Sequence, residues 1–239
     1  MTEPSPKTLA ALASIPARAG FLPKVLESLR PQVDRLHVYL NGYTAVPECV
    51  RRLADEHVLS PVNQGAERKL HWADAHDGIY LSCDDDFVYP GEYVRTMVDA
   101  VLRWGGRAIV TAHGRTYRAY PRSVFDIDPK SLGIIHKRVD RGRFVNHGGT
   151  GVMAWDASRL KLPTTFPERN ILDMQVAVWA QQSKVPIWLI PHKAHWLGAL
   201  APMDPKGIFR SSQREGHSRR NRMLREHSVS AGGWKLHAL

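Results

Sequence analysis

Ile79-Tyr80-Leu81-Ser82-Cys83-Asp84-Asp85-Asp86-Phe87 decides how this chain is read. A short, largely apolar run of this kind is a buried strand. Three carboxylates follow it without a spacer. The strand therefore ends at the acids, which emerge where a parallel sheet normally holds its ligand. Three adjacent carboxylates repel one another wherever water is partly excluded. A divalent cation is the simplest partner, and hard cations such as Mn2+ or Mg2+ prefer oxygen ligands. Magnesium-class ions take one or two protein carboxylates and fill their other positions with phosphate oxygens and water. The stretch reads as a strand-end metal site beside a nucleoside diphosphate. The plainer competing reading is a solvated acidic turn.

The flanking sequence favours the first reading. Residues 9–15 are small and apolar, a first buried strand. Phe21, Leu22, Val25, Leu26 and Leu29 recur at helical spacing. Residues 36–40 form a second strand, closed by the turn pair Asn41-Gly42. Pro47 starts a helix expected over 46–56. A short strand over 58–62 and a helix over 66–75 lead to the acidic stretch. Pro90-Gly91 then turns into a helix over 93–104, followed by a strand over 107–112. This alternation predicts an α/β fold with a mostly parallel sheet flanked by helices. Residues 114–146 read as loops over a face of the sheet. A strand over 149–155, a helix over 167–182 and a last strand over 185–190 follow. Residues 207–227 read as an amphipathic helix or an arm.

Composition bounds the function. The chain has 239 residues, 43% of them hydrophobic, enough for one substantial core with an extension. It has no apolar run long enough to cross a membrane and no basic-then-apolar leader pattern. Cys49 and Cys83 lack metal-type spacing and are expected as free thiols in the cytoplasm. The formal net charge is +10, and eight basic residues against three acidic ones lie beyond position 203. Such a surface attracts anionic partners.

The order of motifs resembles a GT-A glycosyltransferase of the family 2 type, including small bacterial and phage members. The resemblance rests on Ala13-Ser14-Ile15-Pro16-Ala17-Arg18, then Val38-Tyr39-Leu40-Asn41-Gly42-Tyr43, then Cys83-Asp84-Asp85-Asp86 with Tyr89-Pro90. It covers residues 8–200 and implies a GT-A, Rossmann-like sheet. Residues 1–203 would be the transferase domain, with a nucleotide-sugar half over 8–112 and an acceptor half over 113–203. Residues 204–239 would be a basic extension.

Roles follow from the resemblance position by position. Ala13, Ser14, Ile15, Pro16 and Arg18 would line the nucleotide base. Asn41 would sit near the nucleoside and Lys69 near the diphosphate. Asp84 would face the ribose, Asp86 would bind Mn2+ or Mg2+, and Asp85 would orient either one. Asp173 stands where inverting members carry the catalytic base. His192 or His195 would be a further metal ligand. His147, Gly148, Gly149 and Thr150 would open the acceptor side. Each has a plain competitor: Asn41 is a good turn residue, Lys69 an ordinary helix lysine, the glycines a strand start.

The implied reaction moves a sugar from a nucleoside-diphosphate sugar to an acceptor hydroxyl with inversion. The acceptor would be a glycan or a cell-envelope component. The charge supports a second reading, a polyanionic acceptor such as DNA carrying hydroxymethylated bases. There Arg115, Arg118, Arg122, Lys137, Arg138, Arg141 and Arg143 would track a phosphate backbone. A metal-dependent nuclease, a nucleic-acid-binding module and a nucleotidyltransferase are the readings from other classes.

Overall fold

The computed structural model describes residues 6–200 and 217–239. Eight strands form one sheet in the order β3-β2-β1-β4-β10-β6-β11-β8. These are β1 (Thr8–Ser14), β2 (Arg35–Asn41), β3 (Glu56–Ser60), β4 (Ile79–Cys83), β6 (Ile109–Thr111), β8 (Arg143–Val145), β10 (Val152–Asp156) and β11 (Ile187–Leu189). The β1–β2, β1–β4, β2–β3 and β6–β11 pairings are parallel. β10 runs against both of its neighbours, β4 and β6. Two short pairs stand apart from this sheet. One joins β5 (Phe87–Val88) to β12 (Gly198–Ala199), the other β7 (Gly114–Arg115) to β9 (His147–Gly148).

Period-two alternation distributes the side chains to two cores. Ala10, Leu12, Ile79 and Leu81 face α1 (Leu22–Leu29) and α3 (Tyr93–Arg103), while α2 (Glu48–Leu53) adds Val50. Leu9, Ala11, Tyr80, Met153 and Trp155 face α4 (Leu172–Gln182) through Leu172, Val176 and Ala180. Each fully buried Leu, Ile, Val or Met among them stabilises the fold by about 1.5–3 kcal/mol. A third cluster joins Tyr117, Val124, Met174 and Ala177 to Leu224 and Trp234, so the last helix, Ser218–Ser230, packs over α4 and the 117–124 segment. Among the described residues no helix is long and apolar enough to cross a membrane.

Three expectations on local structure change. The helix expected over 66–75 is a 3-10 turn, Ala66–Leu70, because buried Glu67 and Leu70 lie three residues apart on one face. Residues 114–146, read as loops, hold the edge strand β8, which pairs antiparallel with β11. At three residues it is too short for periodicity to register. The helix expected from 167 starts at Leu172, because Asn170 adopts φ 63° just before it. Residues 207–216 of the expected C-terminal helix lie outside the described residues.

Candidate active site

The parallel strands β1, β2 and β4 end on the same side of the sheet. Because β10 runs the other way, its start meets the end of β4: Val152 is paired with Cys83, and Asp84 N–H donates to Gly151 O at 3.2 Å. The acids after β4 and the loop before β10 thus face each other across a cavity of about 940 Å³. Ala13, Ile15, Arg18, Asn41, Lys69, Asp84, Asp85, Asp86, His147, Gly149, Thr150 and Asp173 all line it. A volume of this size suits a nucleotide-sized ligand.

The acidic triplet is internally compensated. Arg18 Nη1 lies 2.8 Å from Asp85 Oδ1 and 3.1 Å from Asp86 Oδ2. Lys69 Nζ is ion-paired with Asp84 Oδ1, its side chain only 5% exposed. Burial opposes the Lys69 charge, but Asp84, with Asp173 and Asp85 behind it, raises its pKa. Burial likewise opposes the charge of Arg18, and Asp85 and Asp86 outweigh it. Burial pushes the Asp85 carboxyl up despite Arg18. Asp86 is the least compensated of the three. Burial and the Asp84 charge push it up to about 7 against the pull of Arg18, and its Oδ1 is buried without a hydrogen bond.

That orphaned oxygen is the observation that bears on a metal. Among the described residues no group of three His, Cys, Asp or Glu side chains gathers to cage an ion. One open carboxylate oxygen beside a large cavity suits instead an ion of the magnesium class, whose other positions go to phosphate and water. His192 and His195 do not line the cavity. His192 is buried against Trp196, their rings stacked with centroids 6.0 Å apart, and His195 is exposed at φ 52° beside His136.

Asn41 is buried and spends both ends of its amide on the following loop. Nδ2 donates to Gly65 O at 2.8 Å, and Oδ1 accepts from Gln64 N–H at 3.1 Å. This loop leads into the turn that carries Lys69. Gly65 sits at φ 97°, a left-handed conformation that favours glycine, and a Cβ there would collide with Glu67. Glu67 Oε1 accepts from Asn170 N–H at 2.6 Å, and Asn170 Oδ1 accepts from Ala66 N–H at 3.2 Å. The turn bearing Lys69 is thereby latched to the entry of α4. Ser14 and Pro16 are absent from the lining; Ser14 is buried, its hydroxyl 3.2 Å from the Tyr43 hydroxyl.

The loop before β10 is closely fitted. A Cβ on Gly151 would fall inside the Asp84 carboxylate. Tyr89 Oη accepts from Asp84 N–H at 2.8 Å and donates to Gly151 O at 2.9 Å. Thr150 gives its N–H (2.9 Å) and its hydroxyl (2.6 Å) to Asp173 Oδ1. Burial disfavours the Asp173 charge, but His147, the two Thr150 bonds and Arg220 more than offset it and hold its carboxyl well below the usual range. Burial, with Arg115, keeps the His147 imidazole neutral, pushing it down to about 3. His113, on the same wall, falls to about 4 for the same two reasons.

The sequence reading did not single out His113, Tyr117, His217, Glu67 or Asn170. Arg115 entered it as one of the arginines that would track a phosphate backbone, and Arg220 only through a count of charge. Gly151 ends the glycine-rich segment read as opening the acceptor side, but its close fit against Asp84 was not foreseen. None of these carries a local pattern; topology alone brings them together.

No protein-family model matches this sequence, and no match to a curated protein reaches significance. Solved structures do match in fold. Glucosyl-3-phosphoglycerate synthase from Mycobacterium tuberculosis, crystallised with phosphoglyceric acid, aligns over 74% of this chain at 18% identity and TM-score 0.51. The chain spans 66% of the length of that synthase, just under two thirds. A 4-diphosphocytidyl-2C-methyl-D-erythritol synthase aligns over 87% of this chain and 99% of its own, at 16% identity and TM-score 0.54. A mycobacterial protein aligns over 88% and 75%, at 18% identity and TM-score 0.55. The fold is thus of the GT-A-like α/β type, a mostly parallel sheet flanked by helices.

Proposed function

We propose that this protein transfers a sugar from a nucleoside-diphosphate sugar to an acceptor hydroxyl, with inversion. The observation that carries the reading is the shared cavity. It places a carboxylate with one open oxygen, two cations and a separate, ionised carboxylate around a single space. The fold likeness to glucosyl-3-phosphoglycerate synthase supports it.

Asp86 Oδ1 would hold a divalent cation, Mn2+ or Mg2+. Such a cation supplies Lewis-acid stabilisation for a departing diphosphate. Lys69 and Arg18 hold Asp84 and Asp85 in place and offset their charge. A dianionic phosphate entering the cavity then meets little repulsion. Asp173 is the proton acceptor for the incoming hydroxyl. Thr150 occupies its Oδ1, and Oδ2 makes no hydrogen bond among the described residues. A carboxylate held low in pKa is a weak base, but it is always ionised. A general base of this kind contributes typically about 10²–10⁴-fold. Its approach from the face opposite the leaving group gives inversion.

The test is a panel of nucleoside-diphosphate sugars with Mn2+ or Mg2+, read by thermal shift and by product. Released nucleoside diphosphate supports the reading. Released pyrophosphate assigns the site to nucleotidyl transfer, the reaction class of the second fold relative's name. DNA cleavage without a sugar nucleotide makes it a nuclease. A duplex carrying hydroxymethylated bases, tested beside glycans, decides whether the polyanionic acceptor is DNA.

A further inference from the structure

The cavity has a second charged end that the transfer chemistry does not use. Arg115 comes from β7 and Arg220 from the first turn of the last helix, Ser218–Ser230, and both line the cavity half-buried. Their positive fields converge: His147, Tyr117 and His217 each feel both guanidinium groups. Other arginines of the fold have acidic partners. Arg18 has Asp85 and Asp86, Arg222 has Glu168, and Arg118 has Asp126. Among the described residues neither Arg115 nor Arg220 forms an ion pair. Arg115 Nε is buried with no hydrogen bond, and Arg115 Nη2 lies 3.2 Å from His113 Nε2. Asp173 feels Arg220 yet spends Oδ1 on Thr150.

Two half-buried guanidinium groups that face one space, neither in an ion pair among the described residues, are costly unless an anion joins them. Guanidinium groups match the oxygens of phosphate and carboxylate through paired hydrogen bonds. We propose that Arg115 and Arg220 form an anion-binding subsite for the acceptor, a small molecule that carries a phosphate or carboxylate group beside its reacting hydroxyl. The assignment rests on the transferase reading above and names its acceptor class. Asp173 lines the same cavity and feels the charges of both Arg220 and Lys69, so an anion held there presents its neighbouring hydroxyl to the base. A small acid fits better than a polymer. The pair lies inside the cavity, covered by a helix anchored through Leu224 and Trp234, whereas Arg118, Arg138 and Arg141 are exposed outside it.

Thermal shift and calorimetry on the full chain test this with inorganic phosphate, glycerol 3-phosphate and glycerate. Glycerol serves as the neutral control, and an unmodified DNA duplex as the polymer. The variants are Arg115→Gln, Arg220→Gln and, as a charge-matched change outside the cavity, Arg225→Gln. UDP and GDP with Mn2+ are titrated separately into each. The subsite predicts that phosphate or carboxylate acids bind the wild type and glycerol does not. Either cavity substitution should weaken that binding about tenfold or more, the loss expected for a charged hydrogen-bonding partner, and Arg225→Gln should not. Comparison of glycerol 3-phosphate with glycerate separates the two anion types. Equal binding in all variants, or equal losses in all three, overturns the subsite. A duplex that binds tighter than every small acid and loses affinity in the same variants also overturns it, in favour of a polymer. Absent nucleotide binding with anion binding intact would instead overturn the transferase reading.

Discussion

Thr150 donates its backbone N–H and its hydroxyl to one and the same oxygen of Asp173, at 2.9 and 2.6 Å. The carboxylate is thereby fixed in orientation as well as charge. The Thr150 carbonyl in turn accepts from Ser82 Oγ at 2.6 Å, so Asp173 is tied through one residue to the strand that ends in the acids.

Replacement of Asp173 by Asn keeps the size of the side chain and removes the proposed base. Turnover is expected to fall by about 10²–10⁴-fold while nucleotide affinity stays within about twofold. The wild-type carboxyl has a depressed pKa, so its contribution to stability is present above the unfolded value of about 3.9 and is lost only as pH falls through its lower folded value. No rate loss between pH 5 and 8 should then trace to Asp173. Steady-state rates and nucleotide titrations for the variant across pH decide the matter; undiminished turnover removes Asp173 from the mechanism.

Asp86 behaves in the opposite sense. Its folded pKa, about 7, lies above its unfolded value. The cost of its ionisation is present in full above pH 7 and is relieved as pH falls through 7 toward about 4. Asp86→Asn should therefore raise Tm more at pH 8 than at pH 5, each kcal/mol appearing as about 2–4 °C for a chain of this length. The same variant should lose the Mn2+-dependent part of nucleotide binding. Melting curves at the two pH values, with and without Mn2+ and UDP, provide the check. A uniform shift at both pH values would contradict the assignment.

Gly151→Ala places a methyl group where the Asp84 carboxylate rests. Asp84 must move and its pairing with Lys69 must loosen. The expected cost is about 1–3 kcal/mol of stability, the range for overpacking, together with weaker nucleotide binding. Denaturant melts and a UDP titration test it, and wild-type affinity would show that the contact has no bearing on the ligand.

Trp234 is 4% exposed, its ring packs on Tyr117 with centroids 5.2 Å apart, and its Nε1–H donates to Leu224 O at 3.1 Å. Trp234→Ala is expected to cost about 3–5 kcal/mol where the loss is felt globally. The milder Trp234→Phe keeps an aromatic ring, smaller than the indole, and drops the hydrogen bond. Both should raise the acceptor KM more than the donor KM, because the anchored helix carries Arg220. Equal effects on the two constants would remove that link.

Much of the fold was legible because the pattern is periodic. Leu9 to Ser14 and Ile79 to Cys83 are short apolar runs buried on both faces, α1 and α3 keep helical spacing, and the acids mark the end of β4. The edge strand β8 was not legible, since its three residues take their order from β11. The acids and Asp173 were named from sequence and do share one cavity. The partners of those residues were not foreseen. Lys69 meets Asp84 across 15 positions, Glu67 meets Asn170 across 103, and Arg115 and Arg220 share a wall although they come from distant segments. Such pairings depend on topology, and no local spacing encodes them. The two histidines expected near the metal lie outside the cavity lining, His192 engaged with Trp196 and His195 exposed at a turn.

The reversed course of β10 has a kinetic consequence. The seam it shares with β4 sets Gly151 against Asp84, and Thr150 is bonded in turn to Asp173, so the proposed cation-holding and proton-accepting ends hang on one ladder. Neither end can be assembled by local folding of its own segment. Any loosening of that ladder should abolish ion affinity and turnover together, in a single step, before the outer strands of the sheet come apart.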